Sequence, residues 1–286
     1  MFATPIRRAG AMPGFWRRSI EEFKRQATIA VNMEGLHVPT KPFPLVRFEN
    51  EESLGRCVVM CDQDIGGFSP ASLTLERGTA SPGSPRPNNS GGDTADPPHA
   101  LFKGSISTEL PPDRPDVHRS GYAAWRTRDR GFSLFGKLLW DISPYQYLAL
   151  RIKSDGRKYF INIQTESVIP TDLHQHLLPC FAPGQWETVT VPFGAFVRTN
   201  HGMVVEPQRE MLRPKVKSVG IGLTDRVQGP FELRIAEVYA TNTVSEAEKV
   251  RRDSGFGELE LPDEKRGLYR DAKTRREKKD PERILI

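Results

Sequence analysis

The sequence predicts an all-β protein, an antiparallel β-sandwich, and three observations carry that prediction. Over residues 45–239 the apolar residues recur at every second position, in short runs bounded by Gly, Pro and Asp. Nothing in that span has the periodicity of a long amphipathic helix, which argues against an α/β arrangement. The 286 residues include 24 glycines, 24 prolines and 15 phenylalanines, a composition of turns and aromatic-rich strands rather than of a helical bundle.

The chain opens with a basic segment, residues 1–42, holding seven basic and three acidic residues. Its first part, MFATPIRRAGAMPGFWRRS, has Arg7, Arg8, Arg17 and Arg18 and no acid before Glu21. That is the composition of a mitochondrial targeting segment, or of a plain basic tail. Residues 15–31 are predicted to be an amphipathic helix, with Trp16, Ile20, Phe23, Ala27 and Ala30 on one side. Arg17, Arg18, Glu21, Glu22, Lys24 and Arg25 take the other side. Such a stripe is expected to dock on protein, either the chain's own core or a partner's groove, ahead of a membrane surface.

Residues 43–243 make the sandwich domain. YLALRIKS alternates Leu148, Leu150 and Ile152 with Tyr147, Ala149 and Arg151, and YFINIQT alternates on Tyr159, Ile161 and Ile163. Val189 and Val191, then Val219, Ile221 and Leu223, then Phe231, Leu233 and Ile235 continue the pattern. KSDGRK and TDRVQGPF place glycines where the chain reverses. The domain is interrupted at about residues 77–100, RGTASPGSPRPNNSGGDTADPPHA, which has almost nothing to bury and reads as a disordered insert; PPDRPDV reads as a smaller one. Residues 244–286 form a charged, partly disordered C-terminal tail unable to pack a core of its own.

Charge and cysteine use narrow the function classes. The sandwich carries 22 residues of each sign, so the net excess of +5 lies outside it, mostly in the N-terminal segment, and a nucleic-acid face is not expected. Cys57 and Cys61 read as one strand, where four residues separate them by roughly 13 Å. A disulfide needs alpha carbons within roughly 7 Å, so with Cys180 as the third cysteine a reducing compartment is the simpler reading. No run approaches the roughly 18 apolar residues of a membrane span.

The stretch CDQDIGGFS, residues 61–69, sets two carboxylates beside a glycine pair, a combination found in calcium loops, phosphate sites and glycosidase clefts as well as in plain tight turns. As a calcium loop it would put Gly66 at the fifth position and Leu73 where a bidentate glutamate is required, and it fails. No Gly-Lys-Ser or Gly-Lys-Thr follows to make a phosphate loop. As half of a glycosidase pair it could face Asp141, Glu166, Asp172 or Asp225, but no sequence rule selects one. The favoured reading is a structural turn built by Asp62, Asp64, Gly66 and Gly67, the aspartates capping backbone amides. His174 and His176, with Cys180 four further on, could share a strand face as metal ligands do. No second cluster completes that set, and Pro170 and Pro179 predict a loop there. Trp125, Trp140 and Trp186 suit a sugar platform, or the core and rim of a sandwich. No catalytic, cofactor or metal-binding residue is assigned.

Taken in order, CDQDIGGFS, FKGSIS, SGYAAWRT, YQYLALRIKSDGRKYFINIQT, GQWETVTVPFGAFV and VKSVGIGLTDRVQGPFELRIAEVYA resemble the complex I intermediate-associated protein 30 family of mitochondrial assembly factors, over residues 46–241. The resemblance implies a galactose-binding-like jelly roll and a non-enzymatic, chaperone-like role. Members of that family help to build respiratory complex I by binding membrane-arm assembly intermediates, together with other assembly factors, and they leave the mature enzyme. It also implies residence in the mitochondrial matrix, with peripheral association at the inner membrane, and neither a cofactor nor a small-molecule substrate. The competing expectation is a glycan-binding protein of the carbohydrate-binding-module kind. Trp16, Arg17, Arg18 and Phe23 are the expected partner contacts, because aromatics and arginine dominate binding hot spots.

Overall fold

The computed structural model describes residues 14–32, 39–78, 96–115, 117, 119–167 and 169–244. The start of the basic segment, most of the insert and nearly all of the C-terminal tail lie outside the described residues. An 18-residue helix α1 (Phe15–Asn32) comes first, followed by β1 (Phe43–Arg47), the short helix α2 (Glu51–Gly55) and β2 (Cys57–Cys61). Then come β3 (Ala71–Glu76), β4 (His99–Ile106), β5 (Ala123–Thr127), β6 (Phe132–Ser133) and β7 (Gly136–Lys137). Next are β8 (Tyr147–Ser154), β9 (Tyr159–Thr165), β10 (Asp172–Leu177) and β11 (Glu187–Pro192). The series ends with β12 (Val197–Asn200), β13 (Met203–Val204), β14 (Val216–Leu223) and β15 (Gly229–Thr241).

These strands make an antiparallel sandwich of jelly-roll type. One sheet runs β11-β8-β15-β4-β3, with β1 added on β15; the other runs β13-β12-β10-β9-β14-β5-β2. β15 is the spine of its sheet. Its first half pairs with β4 and its last residues with β1, and the register slips between Ile235 and Glu237, where β4 hands over to β1. One extra residue at such a bulge lets a long strand bend and change partners.

Strict alternation sets the core. Leu148, Leu150 and Ile152 from one sheet meet Ile161, Ile163, Val219 and Ile221 from the other, all almost wholly buried. A residue period of two puts every second side chain inward, so a one-residue slip of any central strand would expose its whole apolar set. Trp125 lies in this core, edge-on to Phe48 with ring centroids 5.5 Å apart.

One sequence expectation changes, and two short elements are added. Residues 172–177 form the regular strand β10 rather than a loop, because Pro170 and Pro179 both stand outside its ends and remove no ladder donor. Two short hairpins, β6–β7 and β12–β13, have no sequence counterpart above. At β12 the outer edge is closed by a side chain: the Gln208 amide accepts from the Arg198 N–H at 2.8 Å and donates to the Arg198 carbonyl at 3.0 Å. That amide stands in for a neighbouring strand, which leaves less of the edge open to another chain.

Candidate functional site

The CDQDIGGFS stretch folds as a turn of 3-10 helix, Asp62–Ile65, leading out of β2. Its two aspartates differ completely in surroundings. Asp62 is fully buried, and its carboxylate accepts from Ser69 N–H at 2.6 Å, Ser69 Oγ at 2.7 Å and Gly121 N–H at 2.7 Å. Ser69 Oγ in turn accepts from Ser107 N–H at 2.9 Å, so one carboxylate ties the turn to the starts of β3 and β5 and to the end of β4. Asp64 is exposed and, among the described residues, accepts from Cys61 N–H alone, at 3.2 Å. Gly66 holds a left-handed φ of +92°, and a Cβ on Gly67 would meet the Asp62 carboxylate carbon at 2.6 Å. Each glycine therefore answers a separate demand, one of backbone and one of space.

Of the two docking readings for α1, own core or partner, the apolar stripe does not take the first. Ser19 is buried, and Ser19 Oγ accepts from Leu134 N–H at 3.0 Å at the tip of the β6–β7 hairpin. Arg18 Nε donates to the Phe132 carbonyl at 3.4 Å. The contact is polar because the hairpin presents backbone groups that need partners, and the polar flank of the helix supplies them. At roughly 100° per residue, the apolar stripe lies about a third of a turn away from this docked flank. Trp16, Ile20 and Phe23 are consequently 63%, 54% and 61% exposed. Phe132, Leu134 and Phe135 of the hairpin are 58%, 67% and 59% exposed, which the sequence reading missed. The helix stripe and the hairpin tip are thus two exposed apolar patches, and on the helix Arg17 pairs with Glu21 at 2.9 Å and Arg25 with Glu22 at 2.8 Å. Exposed apolar patches of this kind mark protein or membrane contacts.

The remaining candidates have structural employment. Asp141 accepts from Ser143, Glu166 pairs with Lys215 at 2.8 Å, Asp172 with Arg198 at 2.6 Å and Asp225 with Arg157 at 2.8 Å. Hydrogen bonds from Asn200 and Arg198 hold the Asp172 carboxyl below its ordinary range. His174 is buried on β10, where desolvation and then the charge of Arg198 push its pKa down; His176 lies against the Phe196 ring. Among the described residues no three His, Cys, Asp or Glu side chains group as metal ligands. Burial pushes the Cys57 thiol up to about 11. Trp125 and Trp140 belong to the core, the latter under the Arg130 guanidinium at 5.5 Å. Trp186 is half-buried and donates to Asp96 at 2.6 Å. An open groove of about 610 Å³ at the Pro70 end of β3 brings together Lys103, Asp155 and Glu232. Its Asp155 carboxylate is already engaged by Tyr159 Oη and Glu232 N–H.

Fold and surface together define a β-sandwich module with exposed apolar side chains on its N-terminal helix and on one hairpin. The family model of complex I intermediate-associated protein 30 matches residues 46–235, and the chain belongs to that family. The Neurospora crassa protein named complex I intermediate-associated protein 30, mitochondrial, is 45% identical over 253 residues, 86% of this chain and 90% of the relative. The mouse protein of that name is 29% identical over 192 residues, 66% of this chain and 53% of the mouse protein, so the match spans about half of the latter. Among solved structures, a family 11 carbohydrate-binding module from Clostridium thermocellum aligns with a TM-score of 0.44 at 13% identity, over 73% of this chain and 99% of the module.

Proposed function

We propose that the protein is a non-enzymatic assembly factor of mitochondrial respiratory complex I, which holds membrane-arm intermediates, acts with further assembly factors and departs before the enzyme matures. In this reading it works in the matrix, at the inner membrane. The sandwich of residues 43–243 is the supporting module, residues 1–42 carry partner contacts and residues 244–286 are an appended tail. Membership of a family named for association with complex I intermediates supports the reading. The observation that carries it is the stripe of Trp16, Ile20 and Phe23, left in solvent on a helix whose polar flank already fixes it to the domain. A helix held this way offers its aromatics at little cost in ordering, which is what a hot spot requires. Arg17 flanks the stripe and supplies the polar rim, while Arg18 helps to hold the helix on the hairpin through the Phe132 carbonyl.

Replacing Trp16 and Phe23 together by aspartate is expected to reduce co-purification of membrane-arm fragments by more than about tenfold, since each hot-spot aromatic contributes on the order of 2 kcal/mol. Thermal stability should move little, because both side chains are exposed and each surface change costs roughly 0.5 kcal/mol or less. Unchanged co-purification would remove the helix from the interface.

A further inference from the structure

The two sheets differ in the faces they turn outward. On the six-stranded sheet, the register of β4, β8 and β15 puts Lys103, Arg151, Lys153, Glu232 and Arg234 on the outer face. That is the charged, solvated face expected of an antiparallel sheet. The seven-stranded sheet has no such face. Among the described strand residues that its register turns outward, Arg126 alone is charged. Even that charge is engaged locally: Arg126 donates to the Thr127 carbonyl at 3.1 Å and stands 3.6 Å from Asp129. In a chain with 27% charged residues, composition does not account for so wide a neutral face.

Amides and aliphatic side chains take the place of charge. Thr199 Oγ1 donates to Gln175 Oε1 at 2.8 Å, and Gln175 Nε2 to Asn162 Oδ1 at 2.7 Å, a neutral ladder over β12, β10 and β9. Around the ladder Leu177, Val197 and Val204 are exposed, opposite Phe160, Gln175 and Thr199 respectively. Depletion of charge is the compositional mark of the core of a protein interface. Sugar suits the face less well, because sugar rings stack on aromatic faces and the outward aromatic here is the half-buried Phe160. The chain's own tail suits it no better. Residues 244–286 hold twelve basic and eleven acidic residues, and a charge laid on a neutral face loses water without gaining a counter-ion.

We propose that the outer face of the seven-stranded sheet is a second docking surface, taken by an uncharged segment of a partner protein. That segment carries aliphatic side chains for Leu177, Val197 and Val204 and hydrogen-bonding groups for the amide ladder. The proposal goes beyond the α1 contact and rests on the reading above for the partner's identity, a membrane-arm intermediate. Its test places the photo-crosslinker benzoylphenylalanine at Val197 of the full chain, or at Lys103 on the charged face, in cells lacking the protein. On irradiation of isolated mitochondria, position 197 is expected to join a subunit of the intermediate and position 103 to give no such adduct. Adding Leu177→Asp and Val204→Asp should cut the yield at position 197 at least about tenfold, since two carboxylates would be buried unpaired. Both side chains are exposed, so the melting temperature should hold, which separates lost docking from lost folding. No adduct at position 197, equal yields at both positions, or an adduct of two copies of this chain overturns the proposal. So does binding of the wild type on a glycan array that Asn162→Ala abolishes, which would assign the face to sugar. An adduct at position 197 with an identified protein outside complex I would uphold the face and overturn the assembly reading.

Discussion

Substituting Asp62 by alanine is expected to destabilise the sandwich by roughly 3–4 kcal/mol, a fall in Tm of about 10 °C for a domain of this size. The magnitude follows from what the side chain leaves behind. Ser69 N–H, Ser69 Oγ and Gly121 N–H all converge on this carboxylate in a site with no exposure, and each would lose its acceptor. Hydrogen bonds to a charged group contribute about 1.5–3 kcal/mol, and buried donors left unmade cost their desolvation as well. Asp64→Ala, two residues on in the same turn, removes a single 3.2 Å contact from an exposed side chain and should cost about 1 kcal/mol or less. Thermal melts of the two variants, side by side, check the difference. Equal melting temperatures would mean that Asp62 is not the tie between strands that its contacts describe.

Arg157→Ala should cost a similar roughly 3–4 kcal/mol, for a different reason. Arg157 forms a bidentate pair with Asp225, at 3.0 Å and 2.8 Å, in a site where the carboxylate side chain is only 8% exposed. Its guanidinium also donates to the carbonyls of Val227, Gly229 and Pro230, fastening the loop between β14 and β15 to the β8–β9 turn. Alanine strands the nearly buried Asp225 carboxylate and unfastens three carbonyls, of which those of the exposed Val227 and Pro230 can turn to water. Arg157→Lys keeps the charge but not the fork, and should recover only part of the loss. Thermal melts rank the three proteins, and faster amide exchange at residues 225–230 should accompany the alanine variant. Full stability in that variant would show the pair to be ornamental.

Much of the sandwich was legible in the sequence because it is written in two-residue alternation. YLALRIKS and YFINIQT are β8 and β9 residue for residue, since both are central strands with one face in the core. β10 was missed because flanking prolines outweighed a weak pattern, His174 and Gln175 being polar on both faces. The two-residue strands of the hairpins are too short for any periodicity to register. The glycine pair and aspartates of the turn could be read as a turn, but not the burial of Asp62 against the exposure of Asp64. That difference arises from Ser69 and Gly121, 7 and 59 residues away in sequence. The α1 stripe was visible as a stripe. That it would face solvent was not, because the hairpin backbone competing for the polar flank of the helix lies more than a hundred residues downstream.

The central claim is the assembly role, and native-gel separation of mitochondrial complexes from cells lacking this protein tests it most directly. The account predicts loss of mature complex I with accumulation of stalled membrane-arm fragments, reversed by the wild-type chain and not by the Trp16→Asp, Phe23→Asp variant. Mature complex I at normal abundance in those cells would contradict it.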